Sequence, residues 1–356
     1  MRTIHVTASR SYDVHIGPGL LSSLGDRLAP LVKGRTAALI SESTVAPLYG
    51  APVRSALEEA GFTVESFVFS AGESSKTMAV YGEILNFLSE RRLSREDVLV
   101  ALGGGVTGDM GGFAAATYQR GIPFVQVPTT LLSAVDSSVG GKTAVDLPAG
   151  KNLAGAFWQP SLVLCDTDAL RTLPKRQIRS GTAEVVKCAV LSSESFFRAL
   201  EEGTPEETGE DVIARCVACK RDIVAEDEYD TGRRHLLNLG HTVGHAAELC
   251  CGFDLLHGEA VAVGLSVIAR AAAIRGICSR AAAERILALL DRTGLPTELP
   301  NNGLYTRDRI LSGMLSDTKR QGATLKLVVP EQIGRCRIEP VPVEELPGWL
   351  RDGGVT

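Results

Sequence analysis

The chain has 356 residues, 44% of them hydrophobic and 22% charged, with a formal net charge of −5. This is the balance of a soluble globular chain with ample core material, and the length favours two domains or one large α/β domain. Lys and Arg are dispersed rather than blocked, which argues against nucleic acid as the main partner; anionic small molecules stay open, because a site can be locally basic on an acidic protein.

The opening "MRTIHVTASRSYDVHIG" has no apolar h-region, and no stretch approaches about eighteen apolar residues, so neither a signal peptide nor a membrane helix is expected. The eight cysteines (165, 188, 216, 219, 250, 251, 278 and 336) are scattered and read as reduced thiols of a cytoplasmic protein. Cys216 and Cys219 have CxxC spacing without a second pair. They read as small core residues on one helix face or as a zinc or redox pair.

In chain order, Ile4, Val6 and Ala8, then Tyr12, Val14 and Ile16, alternate with period two around "SRS", which predicts a hairpin. "TAALIS" (36–41), "TVESFVF" (63–69), "DVLVALGGG" (97–105), "FVQVPTT" (124–130) and "SLVLCD" (161–166) predict strands. "STVAPLYGAPVRSALEEAG" and "KTMAVYGEILNFLSERRLS" between them predict helices, and such alternation implies a mostly parallel, Rossmann-like sheet. Beyond about residue 170 the texture turns helical, in "AEVVKCAVL", "SFFRALEE", "DVIARCVACKRDIVAEDE", "HGEAVAVGLSVIARAAAIRG" and "RAAAERILALLDRTG", with "LKLVVP" as one late strand candidate. The expectation is therefore an α/β domain over 1–172 followed by a mainly α-helical domain over 173–356. A cleft between such halves is a default ligand site.

"LGGGVTGD" follows a strand, and Gly103, Gly105 and Gly108 satisfy GxGxxG. It lies late in the sheet, and no acidic residue stands about twenty positions on, so the dinucleotide fingerprint is incomplete. The glycines let backbone N–H groups approach a pyrophosphate, or simply form a tight turn with close helix–strand packing. Glu42, at an earlier strand end, is placed to hold a ribose diol. "DSSVGGKTAVD" resembles a Walker A loop but has Asp136 where the first glycine belongs, which excludes that nucleotide-hydrolase motif. What remains is a glycine turn presenting Lys142, with Lys151 and Asn152 close behind. Such lysines suit a phosphate monoester or are solvated surface residues.

Three of the six histidines fall between 241 and 257. His241 and His245 are i, i+4 on one helix face, a spacing that permits shared metal binding. The glutamate of HExxH is missing, which disfavours a zinc protease. A catalytic metal takes three protein ligands and keeps one position open. A carboxylate is the natural partner of two histidines, and spacing leaves Glu184, Glu248 and Glu259 as candidates.

"VPTTLLSAVDSSVGGKTAVDLPAGKNLAGAFWQP" (127–160), "AEVVK" (183–187) and "LNLGHTVGHAAE" (236–247), in order with "GGGVTGD" and "HGEAV", closely resemble the 3-dehydroquinate synthases of the sugar-phosphate cyclase family. The resemblance runs from about residue 36 to 330. It implies an NAD-binding α/β domain, a helical metal- and substrate-binding domain with the active site between them, zinc or cobalt as divalent metal, and a homodimer. It implies no nucleic acid or membrane partner, only a small anionic sugar-phosphate substrate.

Carried over by position, the resemblance implies Glu184, His241 and His257 as metal ligands, with His245 beside them as a polar or proton-handling residue. NAD would meet Glu42, Glu73, Lys76, Gly104, Gly105, Asp109, Thr129, Thr130, Lys142, Lys151 and Thr172. The substrate phosphate would meet Lys142, Asn152, Lys319 and Arg120, the last across a dimer interface. Lys220 and Arg234 would hold the carboxylate, and Asp136, Lys142, Lys187 and Asn238 would act at the reacting centre. Glu42 departs from the family's usual Asp, and Cys188 stands where an aromatic or small residue is frequent.

The implied reaction converts 3-deoxy-arabino-heptulosonate 7-phosphate to 3-dehydroquinate and phosphate, in the shikimate pathway to aromatic amino acids. Its steps are hydride transfer to NAD, phosphate β-elimination, hydride return and intramolecular aldol closure. The alternatives are a cyclase acting on sedoheptulose 7-phosphate or glucose 6-phosphate, or a metal-dependent NAD alcohol dehydrogenase. The first two substrates lack a carboxylate, and a dehydrogenase has no need of a lysine-rich phosphate site.

Overall fold

The structure, a computed structural model, describes residues 1–203, 209–250, 255–315, 320–321 and 323–356, the side chains of 320 and 321 excepted. Lys319 and Cys251 lie outside the described residues. The chain divides into two compact units, Met1–Leu173 with Thr208–Tyr229, and Pro174–Glu207 with Asp230–Thr356.

Among the described residues the first unit is built on nine strands and five α-helices: β1 (Arg2–Val6), β2 (Tyr12–Gly17), α1 (Leu24–Leu28), β3 (Thr36–Glu42), α2 (Ala46–Glu59), β4 (Thr63–Phe69), α3 (Met78–Glu90), β5 (Val98–Gly103), α4 (Gly105–Thr117), β6 (Phe124–Pro128), β7 (Lys142–Leu147), β8 (Gly150–Phe157) and β9 (Leu162–Asp166), completed by the later helix α7 (Glu210–Glu226). The expected hairpin pairs antiparallel, with Ile4 opposite Val14. Every other neighbour pair in the order β1-β2-β9-β6-β5-β3-β4 is parallel. The sheet is thus the mostly parallel one expected.

Its strands are buried on both faces. Ala37, Leu39, Val98, Val100 and Leu102 pack against Val53 and Leu57 of α2. The alternate residues Ala38, Ile40, Leu99 and Ala101 pack against α3 and α4. Continuous apolar strands follow, as in any sheet covered twice. Strand order reverses between β3 and β5, and ligands of such sheets bind outside the carboxyl ends at that reversal. Glu42 ends β3 and Gly103 ends β5.

Periodicity missed α4, because glycine lowers helix propensity by about 1 kcal/mol per residue. Here the glycines serve packing: a Cβ at Gly108 would lie 2.4 Å from Gln126 Oε1, and one at Gly112 2.4 Å from Thr143 Cγ2. The antiparallel pair β7–β8 was also missed, as only a glycine turn was visible there. Helix α7 differs from a single division at 172/173, since it packs against β1 and β2. Ion pairs from the Met1 amino group to Glu210 and from Arg2 to Asp211 anchor it there.

The second unit contains α5 (Lys175–Ser192), α6 (Glu194–Glu202), α8 (His241–Cys250), α9 (His257–Ile274), α10 (Arg280–Arg292), α11 (Arg307–Leu315) and α12 (Leu346–Asp352). It also carries a three-stranded antiparallel sheet, β10 (Arg320–Gln321), β11 (Thr324–Gln332) and β12 (Arg335–Pro342). "LKLVVP" lies in β11. The partner strand β12 was not visible in the sequence, since charges and prolines break its alternation. Among the described residues one helix, α9, has the length and apolarity of a membrane span, but 72% of it is buried, so its apolarity is that of a core helix.

Candidate active site

In the first unit, the residues expected at a dinucleotide gather at the carboxyl ends of β3 and β5. Gly104 caps α4 with extended backbone, and a Cβ there would touch Thr130 Cγ2 at 3.0 Å. Both oxygens of Glu42 accept backbone N–H groups, from Thr44 at 2.7 Å and Val45 at 3.0 Å, so its carboxylate is held at the strand end with lone pairs to spare. Thr129 N–H donates to Gly103 O at 3.0 Å, and Thr130 and Ser133 bond each other side chain to side chain at 2.8 Å. Thr172 is anchored by the Tyr49 hydroxyl, 2.6 Å away.

Beside these lies a cationic group. Lys76 Nζ, buried, donates to Asp109 Oδ2 and Asn152 Oδ1, each at 2.5 Å. Burial alone would lower the Lys76 pKa, but the carboxylates of Asp109, Glu73 and Asp146 outweigh it and raise it. Lys151 pairs with Glu73 at 3.4 Å. Asn152 has a left-handed φ of 57°, and its N–H donates to Asp146 Oδ1 at 2.8 Å.

Asp136 lies in a short π-helical turn, Ser133–Ser137. Lys220 of α7 binds it twice, at 2.7 Å to the carbonyl and 2.5 Å to Oδ1. Gly140 and Gly141, with φ of 96° and 71°, make the turn that starts β7 with an exposed Lys142. Arg120 is exposed and has φ 64°, next to Gln119 with φ 53°. Two successive left-handed non-glycine residues store strain that the surroundings must sustain.

In the second unit, glycines bring three helices together. A Cβ at Gly264 of α9 would lie 1.9 Å from Gly240 O, and one at Gly244 of α8 2.8 Å from Ala260 O. The three imidazoles meet across this crossing, with centroids 5.2 to 5.7 Å apart. Glu184 of α5 is fully buried, and its Oε1 lies 3.5 Å from His241 Nε2 and 3.3 Å from His257 Nε2. Its Oε2 is ion-paired with the buried Lys187 at 2.5 Å. His241 Nδ1 faces Leu239 O at 3.1 Å, and His257 Nδ1 faces Glu248 Oε2 at 3.5 Å. Acceptors on both Nδ1 atoms leave Nε2 as the lone-pair donor of each ring.

This donor set fits a divalent ion. Ligands of a tetrahedral zinc at about 2.0–2.1 Å stand about 3.3–3.4 Å apart, close to the observed spacings around Glu184 Oε1. His241, His245 and His257 offer ligand atoms within 4.8 Å of one another, so His245 borders the same point. The environment demands a positive charge. Burial disfavours protonated His257, yet Glu184 and Glu248 overcome it and raise its pKa to about 10. The three carboxylates that spacing leaves open have different surroundings. Glu184 faces both Nε2 atoms, Glu248 backs His257, and both oxygens of Glu259 are taken by Arg176, at 2.7 and 2.8 Å. Arg234 is buried, 1% exposed, and Asn238 is half-buried at the end of the turn Arg233–Asn238.

Residues 66–180 match the family model described as 3-dehydroquinate synthase N-terminal, and residues 181–320 the one described as 3-dehydroquinate synthase C-terminal. The chain belongs to the 3-dehydroquinate synthase family. A 3-dehydroquinate synthase of Neisseria meningitidis serogroup A is 45% identical over 346 residues, 95% of each chain. Two solved structures are similar at 27% identity. A 2-deoxy-scyllo-inosose synthase complexed with carbaglucose-6-phosphate, NAD+ and Co2+ superposes with a TM-score of 0.90, over 99% of this chain and 100% of that one. A 2-epi-5-epi-valiolone synthase from Streptomyces hygroscopicus subsp. jinggangensis 5008, with NAD+ and Zn2+ bound, gives 0.87 over 99% of each.

Sequence reasoning missed several residues in this member of the 3-dehydroquinate synthase family. Spacing offers Glu248 as a ligand, whereas its carboxylate stands behind His257 Nδ1. Tyr12, whose hydroxyl accepts the Gly140 N–H at 3.0 Å, was read only as a strand residue. Cys188 is buried, as packing requires. Among the described residues no cysteine falls in the metal-capable group of His241, His245 and His257.

Proposed function

We propose that the chain is a 3-dehydroquinate synthase, an NAD- and divalent-metal-dependent phosphate-eliminating cyclase. It converts 3-deoxy-arabino-heptulosonate 7-phosphate to 3-dehydroquinate and phosphate, a step of aromatic amino acid biosynthesis. The observation that carries this reading is 45% identity over 95% of both chains with a 3-dehydroquinate synthase, against 27% with the inosose and valiolone synthases.

Glu184, His241 and His257 would hold zinc or cobalt. Such an ion supplies Lewis acidity, lowering the pKa of a hydroxyl to be oxidised and polarising the ketone that follows. NAD, when bound, takes one hydride and returns it, so net redox is zero. Lys187 holds Glu184 by its second oxygen and keeps Oε1 turned to the imidazoles. His245 beside them carries protons to and from the reacting oxygens. Lys220 and Arg234 receive the substrate carboxylate; Lys142, Asn152, Arg120 and Lys319 receive the phosphate. Two anionic ends gripped by cations would leave the substrate one pose, with Asp136, Lys187 and Asn238 assigned to its reacting carbons. Glu42 takes the ribose diol, while Glu73, Lys76, Gly104, Gly105, Asp109, Thr129, Thr130, Lys142, Lys151 and Thr172 complete the NAD contacts. The same reading makes the protein a cytoplasmic homodimer.

The test is incubation with the heptulosonate phosphate, zinc or cobalt, and NAD well below the substrate concentration, following phosphate and NADH absorbance. Many phosphates released per NAD without NADH build-up are expected. Turnover of sedoheptulose 7-phosphate instead would keep the family and overturn the carboxylate assignment. Stoichiometric NADH without phosphate would make the protein a dehydrogenase.

A further inference from the structure

Arg176, Ser180 and Glu184 stand at i, i+4 and i+8 of α5, along one stripe of that helix. All three meet the N-terminus of α9 at or beside His257. Glu184 Oε1 lies 3.3 Å from His257 Nε2. Ser180 Oγ accepts the Gly258 N–H at 3.1 Å. Arg176 clasps Glu259 through Nε and Nη2, at 2.7 and 2.8 Å. Glu259 Oε2 in turn accepts the Leu256 N–H at 2.9 Å. Residues 256, 258 and 259 are therefore tied down around His257, by the helix that carries Glu184. Only glycine fits at 258, because a Cβ there would sit 1.8 Å from Ser180 O.

We propose that Arg176, Ser180 and Glu259 are positioning residues that set the separation of Glu184 from His257, and through it the affinity for a divalent ion. The proposal rests on reading Glu184, His241 and His257 as metal ligands. The physical case is one of rigidity. A two-ligand bite is kept only if the backbones of both ligands are held, since a misplacement of about an ångström already spoils the geometry of a site. Groups that orient metal ligands typically change affinity about 10–100-fold when removed. Glu259, whose charge looks like a ligand's in the sequence, spends both oxygens on this brace.

Helix capping alone would also explain the contacts, so the readout must separate the two. Apo-protein is titrated with Co2+ in competition with a chelator, and the visible bands of the bound ion are recorded. Arg176→Met and Glu259→Gln are expected to weaken Co2+ binding about 10–100-fold and to shift the bands. The amide introduced by Glu259→Gln keeps an acceptor for the Leu256 N–H and loses only the ion pair. Arg176→Lys recovers part of the affinity. Ser180→Ala removes one oxygen from a helix that otherwise stays intact, and supplies a folded variant expected to weaken binding in the same direction. Co2+ affinity and bands equal to the parent's, with a lowered Tm of the apo-protein, would show a structural staple and overturn the proposal. His257→Ala measured in parallel separates the two failures: parent-like Co2+ binding there would overturn the ligand assignment itself.

Discussion

Glu184 shows how one carboxylate is given two tasks by its surroundings. One oxygen is neutralised by Lys187, the other is presented to two imidazoles. Replacing His257 by Ala is expected to abolish metal binding and turnover together, read by metal content of the purified protein and phosphate release. Lys142→Ala should instead keep metal binding and raise the substrate KM, because it removes a phosphate cation and leaves Glu184, His241 and His257 in place. An unchanged KM would displace the phosphate from the glycine turn. At Lys76 the expectation concerns stability. Removing one partner of a buried ion pair costs about 3–5 kcal/mol, so Lys76→Met should lower the unfolding free energy from denaturant melts by that much, unless Asp109 is neutralised in the same protein. The residues of both clusters were legible through their motifs. Their partners were not, because a carboxylate has the same spacing in sequence whether it faces a metal, an arginine or a histidine's far nitrogen.

At the scale of elements, the parallel strands were legible because burial on both faces leaves an unbroken apolar run, and β4 occupies the very residues expected. Two devices at strand ends were not. Asp97, just before β5, accepts N–H groups from Thr36 at 2.9 Å and Ser94 at 2.7 Å. Burial alone would raise its pKa, but these hydrogen bonds lower it overall. A carboxylate depressed in the folded state stabilises the fold above its unfolded pKa of about 3.9. That contribution is lost as pH falls through the folded value. Asp97→Asn should therefore cost about 1–3 kcal/mol at pH 7, and the gap to the parent should narrow as denaturant melts are taken below pH 4. The second device is Tyr12 on Gly140: Tyr12→Phe is expected to raise the substrate KM more than the NAD Kd, as the turn before Lys142 loses its anchor. Equal changes in both constants would contradict this local role.

For the whole molecule, membership of the 3-dehydroquinate synthase family makes the two units legible as a pair, one with its residues at a parallel sheet's carboxyl ends and one with its residues at a helix crossing. Ligand linkage then gives a bulk expectation: an ion that binds only the folded state raises stability by about 2.7 kcal/mol at one hundred times its Kd. Zinc should raise the Tm of the apo-protein in a concentration-dependent manner, and EDTA should reverse it. By itself the sequence determined the alternating α/β texture, the shift to helices and the identities of the residues proposed for the chemistry, because periodicity and motif are properties of neighbouring positions. Only the tertiary structure decided that the glycine run 103–112 ends a strand and forms a helix, that α7 joins the sheet unit, and that Glu184 rather than Glu259 faces His241 and His257. Each of those outcomes depends on contacts with chain far away: Gln126 and Thr143 against α4, β1 and β2 against α7, and Arg176 on Glu259. Local pattern does not encode which distant partner arrives first at a hydrogen-bonding group, whereas packing does, since each buried oxygen has room for few donors.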